Sequence, residues 1–164
     1  MPADDRSAGH PAGPVEAEPP GAGPWFVPER SNLDNCFGCS ASNRDGLQMR
    51  FRTLPGGHVE SHTVVRDSFC GVDGVVHGGI QATLLDEVMG VAAQLALPDG
   101  ASTAPCVTAE LALTFRQPVP SGRVVARARV VKRHGADLYV HAELIDDNGA
   151  ELTTARSRWR QLRI

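Results

Sequence analysis

The chain has 164 residues, 41% hydrophobic and 21% charged, a composition typical of one globular domain. Its net charge of −3 offers no bulk attraction to nucleic acid or anionic membranes. No apolar run approaches the roughly 18 residues that span a bilayer, and the sequence MPADDRSAGHPAG does not resemble a secretory signal. Four cysteines are too few for a disulfide framework in a chain of this length. We therefore expect a cytoplasmic protein with free thiols, and neither nucleic acid nor membrane as a partner.

The first 24 residues differ in composition from the rest of the chain. Residues 1–24 are rich in Pro, Gly and Ala and nearly lack large apolar side chains. Such a segment cannot bury enough surface to offset the entropy lost on ordering, so disorder is predicted. The folded domain is expected to cover residues 25–164, with Trp25 and Phe26 docked on its core.

The first half of this domain predicts two strands and a helix. Apolar and polar residues alternate over 47–52 and again over 58–65, and the Leu-Pro-Gly-Gly turn between them favours a hairpin. A loop is predicted over 67–74. Apolar residues then recur at helical spacing from Ile80 to Ala96, up to the stop signal Pro-Asp-Gly. This pattern predicts one helix of about 18 residues, apolar around most of its circumference and therefore buried.

The second half predicts four further strands. Alternating patterns cover 110–115, 124–130, 138–144 and about 150–161, separated by turns rich in Pro, Gly, Asp and Asn. Strands do not alternate with helices along the chain. The expected fold class is therefore α+β, with one long buried helix and an antiparallel sheet.

The start of the helix carries a pattern suited to acyl transfer. His77, Gly78 and Gly79 precede the apolar helical run. The first N–H groups of a helix lack intrahelical partners, the helix dipole favours negative charge there, and glycines allow close approach. This arrangement fits an oxyanion hole, although two glycines are equally typical of a tight turn.

A carboxylate follows in the same helix. Asp86 lies among Leu, Val, Met and Ala, where desolvation would raise its pKa toward that of a general base. The alternative is that Asp86 marks the solvent face. Glu87 lies about 100° further around the helix, so we expect one of the two to be catalytic and the other exposed or paired. Gly79 and Asp86 are separated by about 10 Å of helix rise, which makes a site shared by two chains plausible.

His77-Gly78-Gly79 followed by ATLLDE at 82–87 resembles the hotdog-fold thioesterases of the PaaI type, including acyl-CoA thioesterases. The resemblance runs from about Leu47 to Trp159. The upstream Cys-Phe-Gly-Cys at 36–39, which we call the leader turn, is similar to that of a bacterial branch of the family. The resemblance implies a central helix wrapped by an antiparallel sheet, and a homodimer, possibly a tetramer, with active sites at the interface. It also implies hydrolysis of an acyl-CoA or acyl-carrier-protein thioester (EC 3.1.2.-), with no cofactor.

The resemblance also implies residue roles. Asp86 would be the base that activates water, or the nucleophile, in one subunit. The N–H of Gly78, aided by Gly79, would polarise the thioester carbonyl in the other. His77 would shape the pocket or bond that carbonyl, and the Thr108 hydroxyl would position water or the carboxylate.

The chain departs from the family pattern where some members have an asparagine that positions water. Gly71 occupies that place here. Asp73, Thr83 and Thr108 are the candidate substitutes, and the sequence does not rank them.

Arginines on the late strands could recognise the substrate. Arg127 and Arg129 are expected to point outward, beside Arg156, Arg158 and Arg160 on a neighbouring strand. They could bind the phosphates of coenzyme A or the acidic surface of a carrier protein. The alternative is a solvated sheet face that discourages aggregation.

Two cysteines could form half of a zinc site. Cys36 and Cys39 have suitable spacing, but structural zinc takes four ligands and the sequence has no second such pair. No metal is therefore expected. Two alternatives to hydrolysis stay open, namely a hotdog hydratase or dehydratase and a non-catalytic acyl-binding protein.

Overall fold

A six-stranded antiparallel sheet wraps one long helix in the computed structural model, which describes residues 18–28, 35–98 and 105–162. The strand order in the sheet is β1-β2-β6-β7-β8-β5, and a separate small hairpin pairs β3 with β4. The elements are β1 (Phe51–Leu54), β2 (His58–Val65), β3 (Cys70–Val72), β4 (Val75–Val76), α1 (Gly78–Leu95), β5 (Cys106–Phe115), β6 (Gly122–His134), β7 (Asp137–Ile145) and β8 (Glu151–Gln161). This architecture confirms the predicted α+β hotdog fold.

Helix α1 forms the centre of the core. Leu84, Leu85, Val88 and Met89 have no exposed surface, as the apolar run predicted. Gly90 is required by packing, because a Cβ there would lie 2.8 Å from the Trp159 ring on β8. No helix in the described part of the chain is long and apolar enough to cross a membrane.

The first predicted strand is shorter than its alternating pattern. Leu47 and Met49 are buried, but the strand begins at Phe51 because Gln48 has a left-handed backbone, with φ of 49°. The backbone N–H groups of Leu47 and Met49 instead donate to carbonyls of the leader turn, at 2.8 and 2.9 Å. Burial alternates as predicted, whereas the hydrogen bonds join this segment to the leader turn.

Two other elements differ from their predicted bounds. The stretch 67–74, predicted as a loop, contains β3 and the turn of the β3–β4 hairpin. Strand β5 begins at Cys106, before the alternating pattern that starts at 110, and its pairing with β8 shifts register between Thr108 and Glu110. Ala109 is the additional residue of this β-bulge. Because of the bulge, Thr108 pairs with Trp159 and lies on the helix-facing side of the sheet, as does Leu111.

The N-terminal segment joins the free side of β1. Phe26 exchanges backbone hydrogen bonds with Phe51, at 2.7 and 2.8 Å, and packs against the core. Gly23 donates to the Thr53 carbonyl at 2.9 Å, so backbone pairing begins before the predicted domain start at 25. Residues 1–17 of the segment predicted to be disordered lie outside the described residues.

Trp25 covers a buried ion cluster rather than the core. Glu60 has no exposed surface, and its Oε1 accepts from Arg52 Nη2 at 2.6 Å and contacts His62 Nε2 at 2.8 Å. Arg127 Nε donates to the other oxygen. The Trp25 ring lies 4.6 Å from the Arg52 guanidinium and 5.0 Å from the His62 ring. These contacts attach the N-terminal segment to the outer face of the sheet.

Candidate active site

Asp86 lies on the side of α1 that faces β5. The Thr108 hydroxyl donates to Asp86 Oδ1 at 2.9 Å. Burial raises the pKa of Asp86 above the ordinary aspartate value, and the hydrogen bond from Thr108 opposes part of this rise. The second carboxylate oxygen receives no hydrogen bond from the described residues, which leaves it available to a water molecule.

The helix start is capped by its own histidine. His77 Nδ1 accepts a hydrogen bond from the Gly79 N–H at 2.9 Å. The Gly78 N–H has no acceptor within the described part of the chain. Of the two glycine amides, that of Gly78 is therefore the one free to bind a carbonyl oxygen. The hydroxyl of Thr83 donates to the Gly79 carbonyl at 3.0 Å, so its proton is used within the helix.

Strand β5 connects these two parts of the site. Thr108 contacts Asp86 at one end, and at the other a Cβ on Gly78 would lie 3.5 Å from the Phe115 ring. Phe115 is 56% exposed, and β5 is an edge strand of the sheet. The sequence did not identify Phe115 as a site residue. The available signal was its place at the end of an apolar strand. Asp86 and Gly78 therefore both lie beside the edge strand of the described sheet.

Of the four proposed substrate-binding residues, Thr83 alone lies on α1 with Gly78 and Asp86. Asp73 is exposed in the β3–β4 turn. Arg127 binds Glu60, and Arg129 is exposed. Both arginines point away from α1, on the face of the sheet opposite Asp86.

The expected neighbouring arginine strands are not neighbours. Strand β7 lies between β6 and β8, so the expectation that their arginines lie on adjacent strands was wrong. Arg158 and Arg160 are paired with carboxylates, since Arg158 binds Glu110 at 2.6 Å and Arg160 binds Asp137 at 2.7 Å. Among the five arginines, Arg129 and Arg156 have no carboxylate partner in the described ranges.

Glu87 points away from the Asp86 site. Its Oε1 lies 3.5 Å from Cys36 Sγ, beneath the leader turn. The two adjacent carboxylates thus occupy separate environments, and Asp86 is the one that faces β5.

A family model described as the thioesterase superfamily matches residues 73–153, the stretch that contains the helix start, Asp86 and Thr108. A phenylacetic acid degradation-related protein of Ralstonia eutropha JMP134 is 31% identical, with a TM-score of 0.62. The alignment covers 71% of this chain and 86% of that protein. The chain belongs to the thioesterase superfamily.

Two further solved structures share the fold at lower identity. The BH2602 protein of Bacillus halodurans, whose structure contains CoA, is 24% identical with a TM-score of 0.66, covering 76% of this chain and 81% of that one. RHA08564, a thioesterase superfamily protein, is 21% identical with a TM-score of 0.63. That alignment covers 73% of this chain and 56% of that protein. No curated protein matches the chain in sequence.

Proposed function

We propose that the protein hydrolyses an acyl-CoA thioester, with Asp86 as general base. The observation that carries this proposal is the half-buried Asp86 carboxylate, fixed by Thr108 and with its pKa raised by burial. A raised pKa makes a carboxylate a better proton acceptor. The BH2602 structure contains CoA, which supports a CoA ester over other thioesters. Such a substrate agrees with the cytoplasmic location predicted from the sequence.

The reaction would proceed by attack of water on the thioester carbonyl. Asp86 takes one proton as the water oxygen bonds to the carbonyl carbon, and a free Gly78 N–H donates to the resulting oxyanion. The C–S bond then breaks, and the leaving thiolate receives the proton carried by Asp86. The products are the carboxylic acid and free CoA thiol. His77 cannot easily act as a base toward carbon through Nδ1, because that atom already accepts from Gly79.

A single subunit does not bring Asp86 and Gly78 together. They lie eight residues apart on one helix, about 12 Å of axial rise. Within the described residues no strand pairs with the outer side of β5, and two copies of such an edge can pair antiparallel. We propose a homodimer in which the two β5 strands pair and the sheets become continuous.

The bulge in β5 allows one pairing that would join the two parts of the site. Directly opposed residues must point to the same face of a sheet. A two-fold axis through Ala112 pairs Leu111 with the partner's Leu113. Because Thr108 and Ala109 together occupy one position of the strand, the same axis pairs Thr108 with the partner's Phe115. Thr108 contacts Asp86, and Phe115 lies against Gly78. This pairing therefore brings Asp86 toward the partner's Gly78.

Ala112→Lys should separate the subunits. Ala112 is exposed, and the two lysines would lie directly opposite each other at the axis, where like charges destabilise strand pairing. Sedimentation should show a monomer, and thiol release from acyl-CoA should be lost with it. Ala150→Lys, in the exposed turn between β7 and β8 and outside the proposed β5 pairing, should leave both unchanged. A dimeric, active Ala112→Lys protein would contradict this interface.

Thr108→Val should move the pH dependence of hydrolysis. The Thr108 hydroxyl stabilises the ionised form of Asp86, so its removal raises the pKa of Asp86 further. Because activity needs ionised Asp86, the acid limb of the kcat/KM profile should shift to higher pH. The loss of kcat/KM relative to wild type should therefore be smaller at alkaline pH. Thr114→Val, an exposed position on the outer face of the same strand, is the matched control. An unmoved acid limb would show that Thr108 does not tune this carboxylate.

The direct test of the proposed function is thiol release from a panel of acyl-CoAs by the purified protein. Turnover of at least one ester is expected, and the panel would define the preferred acyl group. If every acyl-CoA is inert while an acyl-carrier protein ester is cleaved, the CoA assignment is wrong but thioester hydrolysis stands. If neither substrate is cleaved, the proposed function fails.

A further inference from the structure

The leader turn packs directly on the helix residue next to Asp86. Cys39 Sγ lies 3.5 Å from Cys36 Sγ, which in turn lies 3.5 Å from Glu87 Oε1. All three donor atoms lie within 4.8 Å of one another. The sequence alone indicates only the two cysteines, because nothing in the spacing of positions 36, 39 and 87 shows that their side chains are in contact.

The packing of the turn on the carboxylate depends on Gly38. A Cβ on Gly38 would lie 2.2 Å from Glu87 Cδ, so any larger residue would displace the turn or the carboxylate. Backbone hydrogen bonds from Leu47 to Phe37 and from Met49 to Gly38 fix the turn from the other side. The three side chains are therefore brought together by the fold rather than by chance surface proximity.

The distances match those of a tetrahedral thiolate–carboxylate metal site. Zinc binds sulfur at about 2.3 Å and carboxylate oxygen at about 2.0–2.2 Å. Tetrahedral angles then separate two sulfurs by about 3.8 Å and a sulfur from an oxygen by about 3.6 Å. The observed separations of 3.5 Å in both cases need small side-chain adjustments to accept the ion.

The electrostatics of the cluster favour a cation. Cys39 is buried, and the Glu87 carboxylate lies close to both thiols. Two thiols and a carboxylate can all ionise together only if a positive charge compensates them. Thiolate ligands select zinc-like ions over the hard cations magnesium and calcium.

We propose that Cys36, Cys39 and Glu87 bind one Zn²⁺ or a similar thiophilic divalent cation, with water as the fourth ligand. The ion would join the leader turn to α1 one residue after Asp86. This site departs from the expectation that no metal is bound, and it does not depend on the proposed hydrolase activity. Binding would release the two thiol protons, so affinity should fall as pH falls.

The test uses the full chain, purified under a non-thiol reductant, freed of metal with a chelator and titrated with Co²⁺. One equivalent should produce the intense thiolate-to-cobalt absorption and tetrahedral visible bands, and one equivalent of Zn²⁺ should remove them. Zn²⁺ should also raise the melting temperature of the chain.

Variants identify the ligands. Cys36→Ser and Cys39→Ser should lose most of the thiolate absorption, and Glu87→Gln should weaken Co²⁺ binding by at least about tenfold. Cys70→Ser, a cysteine outside the cluster, should bind as wild type does. Should a serine variant not fold, the Glu87→Gln titration still decides the matter. The proposal is overturned by absent stoichiometric absorption, by absorption that these variants leave unchanged, or by a Cys36–Cys39 disulfide that persists under the reductant.

Discussion

Asp86→Asn should lower kcat for acyl-CoA hydrolysis by about a hundredfold or more, the usual effect of losing a general base. The amide keeps the size of the side chain and can still accept a hydrogen bond from Thr108. It cannot accept a proton from water. The fold should therefore be retained while turnover is lost, and thiol release under saturating substrate measures the difference.

The matched control is Asp147→Asn, which makes the same change at an exposed turn between β7 and β8. Its kcat should equal that of wild type. Far-ultraviolet circular dichroism and sedimentation should show both variants folded and in the wild-type oligomeric state. An Asp86→Asn enzyme that retains full turnover would exclude Asp86 as the base, although membership of the thioesterase superfamily would be unaffected.

Glu60→Gln should destabilise the fold by about 3–5 kcal/mol, the usual cost of removing one partner from a buried ion cluster. Glu60 has no exposed surface and accepts from both Arg52 and Arg127. The neutral amide would leave two guanidinium groups without their counter-charge. Chemical denaturation at neutral pH measures the change in the free energy of unfolding.

The same cluster predicts that the free energy of unfolding falls at acidic pH. Hydrogen bonds from His62, Arg127 and Arg52 outweigh burial and lower the pKa of Glu60 from 4.5 to about 2. The contribution of ionised Glu60 to folding stability is therefore complete above about pH 4.5 and is lost as pH falls toward 2. Glu60→Gln should flatten the stability profile in this window.

The control for Glu60 is Glu151→Gln, because the Glu151–Arg116 pair is about half exposed and its atoms are 3.5 Å apart. Exposed pairs contribute about 0–1 kcal/mol, so this variant should unfold almost as wild type does. Equal effects of the two substitutions would mean that the buried cluster contributes no more than a surface pair.

Hydrophobic periodicity was enough to predict the main elements and the fold class, whereas the wrapping of the sheet around the helix was expected from the family resemblance. The helix, the 58–65 strand and the α+β class follow from apolar spacing, which the core enforces directly. The start of β1 could not be predicted, because a left-handed Gln48 interrupts the strand without changing which residues are buried. The alternating pattern indicated β5 only from about residue 110, since the exposed positions before it carry no alternation.

Spacing along the chain could predict the site only where its residues are close in sequence, and Thr108 was expected near Asp86 from the family resemblance alone. His77, Gly78 and Asp86 lie within one helical segment, so their spacing carries information. Phe115 and Thr108 reach that segment through strand pairing. The contact of Glu87 with the leader turn joins residues 51 positions apart, a separation for which one sequence contains no signal.

The free edge of β5 also bears on solubility. Its ten residues include one charged side chain, Glu110, and both Val107 and Phe115 are exposed. A long, nearly uncharged edge can template pairing with any extended chain, including misfolded copies. Closure by a second copy would remove that hazard and complete the proposed catalytic pair in one step. Mutations that weaken this edge contact would then lower the amount of soluble protein in the cell through aggregation. They would also reduce turnover.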